Sequence, residues 1–431
     1  MAIFSNYIFL FEKNGKNFFV VGYSWYYTDA GFITGFLNNI YFSGKTDLLY
    51  FSENEVNNAK EYLLQLTQKH AKNIKPNIIV WQEESYDDLR KYPSFAIPQT
   101  IYSKYDIIAN ESYSGCTLNP QYYTINSQFE VMSGLFYKYF YPEMAIYTKN
   151  KYPLKFALGY ALQNNGYITG SIHKYFPSTF STKTKDGKSL YGIFDCFKLK
   201  RHDLYEKTSH ISSMNYAHEA LNVIKNNYLH AERPFALFVQ TDQNHTPHTL
   251  SNLDNLPEKA FINEKYDESL SVYAHGLKSS NEAIFFLINE LKKIKTPTVL
   301  LFYGDHNTSA GRKDKNSNIL DRNTTNFFIW SNYKNDSIKN IITSHAYLGI
   351  ELFDYIGLPM NRYQLFMNKM KNSCKGINRD IAIDGNGNIF TINDDDFYIK
   401  TQKIIQYDVT SGKNLLSEVL SEIPHNAHAR R

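Results

Sequence analysis

No run of roughly 18 apolar residues occurs in the chain, so no transmembrane helix is expected from it. It does not open on a basic stretch followed by an apolar one, so no signal peptide is expected either. Two readings of its setting follow: a cytosolic protein, or a soluble piece of something longer. Cysteine is scarce. Cys116, Cys196 and Cys374 lie far apart and form no C-x-x-C pair, which excludes a cysteine metal knuckle. The count allows one disulfide and requires none, so the redox compartment is left open. Charge of one sign is missing too: 46 Lys and Arg against 42 Asp and Glu leave +4, scattered along the chain. A dedicated nucleic-acid binder would carry a concentrated basic stripe. Internal repeats and low-complexity segments are also absent.

What is present suits a large globular fold. The 431 residues are 43% hydrophobic, enough for one large α/β domain or two to three smaller ones. The 35 Tyr and 30 Phe are many, but no function follows from them. Residues 1–22 look like a hairpin, "YIFLFE" and "NFFVVGY" around an Asn-Gly turn. "GFITGFLNNIYF" is ambiguous, and "NEVNNAKEYLLQLTQKHAK" is an amphipathic helix. "NIIVW" (77–81), "FALFVQT" (235–241) and "TVLLFYG" (298–304) are short apolar runs, as expected of strands buried on both faces. Helical stretches such as "MNYAHEALNVIKNNYL" and "SLSVYAHGLKSSNEAIFFLINELKKI" separate them. The alternation predicts a mostly parallel central sheet with helices on both faces. In the tail, "DIAIDGNGNIFTIN" and "FYIKTQKIIQYDVTSGKN" suggest antiparallel strands of a smaller C-terminal unit.

The chemistry lies where the apolar strands stop. "NIIVW" runs into Gln82-Glu83-Glu84-Ser85, "FALFVQT" into Asp242-Gln243-Asn244-His245, and "TVLLFYG" into Asp305-His306-Asn307. Ligands of open α/β sheets bind beyond the carboxyl ends of the strands. Carboxylates and imidazoles delivered there suit a divalent metal, although polar residues also follow strands simply because loops face water. Glycine before Asp305-His306 would let the backbone turn tightly beside an ion. Strand alternation should send only one of the adjacent Glu83 and Glu84 into the site and leave the other facing outward.

"TINSQFEVMSGL" (124–135) reads as the start of an amphipathic helix, with Phe129, Met132 and Phe136 on one face and Thr124 at its mouth. Thr124 could be a plain N-cap. It could equally be a hydroxyl placed where the helix dipole favours an anion, activated by a metal to attack phosphorus.

These stretches resemble the lipoteichoic acid synthase-like phosphoglycerol transferases of the sulfatase/alkaline phosphatase superfamily. "QFEVMSG" is similar to the family's nucleophile run and places Thr124 on the nucleophile. "IIVWQEES" resembles the strand ending in a Glu-Ser pair, which makes Glu84, rather than Glu83, the metal-binding glutamate. "LLFYGDHN" resembles the Gly-Asp-His strand, giving Asp305 and His306 as metal ligands beside Glu84 and Thr124. "VQTDQNHTPH" resembles the Asn-His-x-Pro loop, so His245 would contact the substrate phosphoryl group. "SIHKYFPSTFSTK" is similar to a segment with a substrate-binding arginine; here the nearest cation is Lys183, one ammonium in place of a bidentate guanidinium. Gln128 stands where the family usually has Glu, and "NPQYY" replaces the glycines before the nucleophile.

The resemblance covers roughly residues 30–415, and the chain reads as three regions. These are an N-terminal hairpin and helical lead-in (1–75), a sulfatase-like catalytic domain (76–360), and a small C-terminal β-rich subdomain and tail (361–431). It implies one divalent ion, Mn²⁺ ahead of Zn²⁺ or Mg²⁺. Phosphatidylglycerol would be the headgroup donor and a glycan or polymer the acceptor, with a phospho-threonine between them. Contact with the membrane would come through the lipid donor, on the extracytoplasmic face of the bacterial cytoplasmic membrane. The expected setting is a soluble domain lacking its anchor or recruited by another protein. Alternatives are a phosphoethanolamine transferase, a phosphodiesterase, or an inactive glycan-binding module of the same fold. A true sulfatase is disfavoured, because "CTLNP" at Cys116 does not match C/S-x-P-x-R. His173, His248, His345, Arg312 and Lys313 are weaker candidates for the site.

Overall fold

Alternate side chains of the three apolar runs are buried on opposite sides of one sheet. The computed structural model describes residues 51–68, 74–95, 97–120, 124–140, 154–174, 200–204, 211–229, 231–249, 268–309, 311, 314–334 and 336–424. The hairpin expected over 1–22 and the segment 31–42 lie outside the described residues. The first described helix is α1 (Glu53–Leu64), capped by Ser52 and Glu55 in a reciprocal box. Then follow β1 (Asn77–Glu83), α2 (Ser103–Asn110), β2 (Tyr113–Leu118), α3 (Thr124–Ser133), α4 (Leu158–Asn164) and β3 (Ile168–Lys174). Next come β4 (Lys200–Leu204), α5 (Ser213–Val223), β5 (Phe235–Gln240), α6 (Glu268–Leu291), β6 (Thr298–Gly304) and β7 (Thr324–Ser331). After β8 (Ile341–Ser344), α7 (His345–Ile356) and α8 (Arg362–Met370), the chain ends in β9 (Cys374–Ile377), β10 (Ala382–Asp384), β11 (Ile389–Phe390), α9 (Phe397–Ser411) and α10 (Ser417–Ser421).

Eight strands form the main sheet in the order β4-β3-β5-β1-β6-β7-β2-β8. All its pairings are parallel except those of β7, which runs antiparallel to both β6 and β2. Ile78, Val80, Ala236, Phe238, Val299 and Leu301 pack in one apolar cluster with Phe129 of α3 and Leu348 of α7. Ile79, Trp81, Leu237, Val239, Leu300 and Phe302 pack in another, with Tyr216 of α5 and Leu277 of α6. Full burial of one such side chain contributes about 1.5–3 kcal/mol, which explains why no polar residue interrupts β1 between Ile78 and Trp81. The predicted mostly parallel sheet with helices on both faces is therefore present. So is the small antiparallel sheet, three strands in the order β11-β10-β9.

Two details differ from expectation. Residues 397–414 do not form strands: α9 occupies Phe397–Ser411. Ile399, Ile404, Ile405 and Val409 recur at helical spacing and join the cluster that also holds Val56, Leu63 and Leu420. Asp396 caps the helix by accepting from the amides of Tyr398 and Ile399, and Gly412 closes it in a left-handed conformation. The second concerns the helix beginning at Thr124, whose residues 126–133 are all buried. It is an internal helix with no solvent face over that span.

Candidate metal centre and nucleophile

Parallel pairing brings the strand ends level. Glu83 on β1 lies opposite Gly304 on β6, and Gln82 lies opposite Gln240 on β5. The ladder continues one step past each strand: the amide of Asp305 donates to Glu83 O, and that of Thr241 to Gln82 O. Glu84 and Asp305 are thus neighbours at the carboxyl edge. With His306 they offer three ligand atoms lying within 4.8 Å of one another. His306 Nε2 is 3.6 Å from Glu84 Oε1 and 3.5 Å from Asp305 Oδ2.

The nucleophile candidate sits on the same cluster. Thr124 Oγ1 donates to Glu84 Oε2 at 2.8 Å. Thr124 is the first residue of α3, so the amides of the first helical turn open beside it. Two bonds anchor that end of the helix: Gln82 Nε2 donates to Thr124 O at 3.4 Å, and the Ser127 hydroxyl donates to Asp305 O. Tyr303 in turn donates to Gln82 Oε1 at 2.6 Å.

The carboxylates are poised for a cation. Burial, then the charge of Asp305, pushes the Glu84 pKa up to about 7, opposed by His306 and His245. Burial likewise pushes Asp305 up to about 7, against the Thr124 hydroxyl, the amides of Ser85 and His306, and His245. Asp305 Oδ1 accepts from the Ser85 amide at 2.6 Å and the His306 amide at 2.7 Å, whereas the buried Oδ2 accepts no hydrogen bond. A buried oxygen with no donor, two carboxylates, an imidazole and a hydroxyl fit a divalent cation bound by Glu84, Asp305, His306 and Thr124.

Other candidates fall differently. His245 is exposed on the loop after β5, its Nδ1 2.7 Å from Thr246 O, and near enough to act on both carboxylates. Lys183, Arg312, Lys313 and Cys196 lie outside the described residues. His248 is half-buried with its ring 4.7 Å from that of Tyr273. His173 is buried in β3. His345 is a core residue whose ring nitrogens lie 2.9 Å from Leu118 O and Gly304 O; burial lowers its pKa to about 4. Cys116 and Cys374 are free thiols.

Glu83 corrects a prediction, because it does not face outward. It is fully buried on the α5/α6 side of the sheet and accepts from Trp81 Nε1, Ser213 Oγ and Ser280 Oγ. Alternation held for direction, but the far side of this sheet is protein and not water. Gly304 also has a different role: a Cβ there would lie 2.3 Å from Tyr86 O, so the glycine admits the loop following Glu84. Three contributors were given no role by the sequence. Ser85, with φ of 49°, donates its hydroxyl to Glu84 Oε1 at 2.8 Å. Ser127 is the second, holding Asp305 O from α3. Asp87, beneath the His306 loop, accepts from Asn307 Nδ2 at 3.2 Å and the Thr308 amide at 3.3 Å.

No helix among the described residues is long and apolar enough to cross a membrane. The chain is similar in structure to the Streptococcus pyogenes phosphoglycerol transferase GacH in complex with sn-glycerol-1-phosphate (TM-score 0.64, 18% identity, 87% of this chain and 98% of that one). It is similar also to the Listeria monocytogenes lipoteichoic acid synthase LtaP (TM-score 0.57, 14% identity, 87% and 99%). At these identities the likeness shows the fold. Among curated proteins, it is 25% identical over 340 residues to a Rhizobium meliloti (strain 1021) protein named for cyclic beta-1,2-glucan modification, covering 73% of this chain. It is 28% identical over 247 residues to that organism's capsular polysaccharide biosynthesis protein RkpI, covering 54% of this chain. The chain spans 50% and 41% of the lengths of these two relatives. Residues 76–358 match the Sulfatase family, about two thirds of the sequence, and the chain belongs to that family.

Proposed function

We propose that the chain is a metal-dependent phosphotransferase that moves a phosphoglycerol group from phosphatidylglycerol to a glycan or polymer acceptor through a phospho-threonine at Thr124. The observation that carries this is the 2.8 Å hydrogen bond from Thr124 Oγ1 to Glu84 Oε2, inside the Glu84–Asp305–His306 cluster. A divalent ion held there, Mn²⁺ in this reading, would supply Lewis-acid stabilisation of the Thr124 oxygen and of phosphoryl charge.

The chain's own groups do the rest. The Thr124 proton already lies on the line to Glu84 Oε2. As Thr124 Oγ1 bonds to phosphorus, the bond from phosphorus to the diacylglycerol oxygen breaks, and the diacylglycerol leaves as its alcohol with one proton gained. The first turn of α3 offers amide donors to the phosphoryl oxygens. His245 is set to contact the phosphoryl group from the β5 side. An acceptor hydroxyl then bonds to phosphorus, gives up its proton and restores the Thr124 hydroxyl.

The names of the similar proteins support the class: a phosphoglycerol transferase and a lipoteichoic acid synthase for the donor, glucan modification and capsular polysaccharide for the acceptor. In this reading the site works on the extracytoplasmic face of the cytoplasmic membrane. Incubation with phosphatidylglycerol and Mn²⁺ tests the proposal: diacylglycerol should appear with the wild type and not with Thr124→Ala. Equal release by both proteins, or none by the wild type, sinks it.

A further inference from the structure

Beside the metal ligand Glu84 lies a second buried carboxylate that the transfer chemistry does not use. Glu83 Oε1 accepts from Ser213 Oγ of α5 and Ser280 Oγ of α6, each at 2.6 Å. Its Oε2 accepts from Trp81 Nε1 at 2.7 Å. A serine hydroxyl has one proton. Ser280 gives its proton to Glu83, so its lone pairs face the donors on its other side. These are Asn244 Nδ2 at 3.1 Å and Gln243 Nε2 at 3.2 Å. Gln243 is held further: its Nε2 donates to Gly276 O at 2.7 Å, and its Oε1 accepts from the Ser213 amide at 2.7 Å. Gly276 gives the pair room, since a Cβ there would lie 2.3 Å from Asn244 Oδ1. The next residue along the chain is His245.

We propose that Glu83, Ser280 and Gly276 are positioning residues: they form a buried cradle that clamps Gln243 and Asn244 and so fixes His245 over the metal centre to receive a phosphoryl group. The carboxylate sets the direction of the serine hydrogen bonds, while the Ser213 amide and the Gly276 carbonyl fix the amide of Gln243. The carboxylate takes the serine protons, the serine accepts from the amides, and the amides are left one orientation. The two adjacent glutamates at the end of β1 thereby divide the work, Glu84 toward the metal and Glu83 toward the histidine loop. The inference rests on the proposed role of His245.

Ser280→Ala removes the central acceptor, while Gly276→Ala pushes Asn244 from the helix side. Alanine suits a helix better than glycine, but its Cβ would displace the buried Asn244 side chain, so Gly276→Ala should lower Tm modestly while the protein stays folded. With Mn²⁺ present and glycerol 1-phosphate as the probe, calorimetry should show each variant binding about tenfold more weakly. Mn²⁺ affinity should stay within about twofold of the wild type, and neither change should weaken binding further in a His245→Ala background. Losses that add to that of His245→Ala, or Mn²⁺ affinity that falls in parallel, overturn the cradle. A wild type that binds glycerol 1-phosphate yet releases no diacylglycerol overturns the transferase reading and leaves the cradle standing. A wild type that does not bind the probe overturns both.

Discussion

The backbone N–H of Ser85 donates to Asp305 Oδ1 at 2.6 Å, so the residue that follows one carboxylate of the candidate cation cluster holds the other. Its hydroxyl donates to Glu84 Oε1, and its carbonyl accepts from Tyr273 of α6. This double grip is made from a left-handed backbone, φ 49°, which costs a non-glycine residue about 1–2 kcal/mol. Ser85→Ala should weaken Mn²⁺ binding about tenfold, the usual scale for a residue that orients a ligand. Ser85→Gly should lose as much affinity but melt no lower than Ser85→Ala, because glycine accepts that φ freely. Titration calorimetry and thermal melts read the two effects separately, and unchanged affinity in both variants would count against the orienting role.

Acidity gives a second handle. Glu84 and Asp305 both have pKa values raised to about 7, from 4.5 and 3.8, with burial the largest cause. Between the unfolded and folded values the folded metal-free protein therefore binds more protons than the unfolded chain. Its stability should fall as pH rises from about 4 through 7. Mn²⁺ should reverse that slope, because it binds the ionised pair and displaces protons. Melting curves from pH 5 to 8, with chelator and with Mn²⁺, should diverge as pH rises; parallel curves would contradict the assignment of the ligands.

Thr124 separates chemistry from binding. Thr124→Ala should reduce diacylglycerol release by at least about a thousandfold while Mn²⁺ still binds. Thr124→Ser should keep part of the activity, and intact-mass measurement of the wild type after exposure to phosphatidylglycerol should find an adduct at position 124. The same assay with phosphatidylethanolamine identifies the headgroup, and preference for that lipid would replace phosphoglycerol as the group moved.

Packing at the strand end is tested by Gly304→Ala. The added Cβ would meet the Tyr86 carbonyl at 2.3 Å, a backbone atom that cannot rotate away. A loss of about 1–3 kcal/mol is expected, together with weaker Mn²⁺ binding, because the loops carrying Glu84 and Asp305 must separate. Chemical denaturation and calorimetry measure both. A variant as stable as the wild type would show that the loop relaxes at little cost.

Much of this was legible in residue order. The runs 77–81, 235–241 and 298–304 announce central strands because burial on both faces requires unbroken apolar sequence. The polar residues just past them announce a site, because parallel strands end on one edge. Less was legible where periodicity is ambiguous. Residues 397–414 mix aromatic, β-branched and polar residues, and packing against α1 chose helix. Glu83 was misread because alternation tells which side a residue faces, but not what covers that side. Ser127 acts through a single hydrogen bond to a group distant in sequence, and Ser85 through its backbone and hydroxyl at once; no local pattern encodes such bonds.

The end of β1 and the residue after it serve three different ends in succession. Gln82 steadies the carbonyl of Thr124, Glu83 enters the serine cradle, and Glu84 closes the cation cluster. These duties depend on phase as much as on residue type. Deleting or inserting one residue between Ile78 and Trp81 would send each side chain to the wrong face at once, even with the apolar composition unchanged. This stretch should therefore tolerate exchange of one hydrophobic residue for another while refusing any change in length.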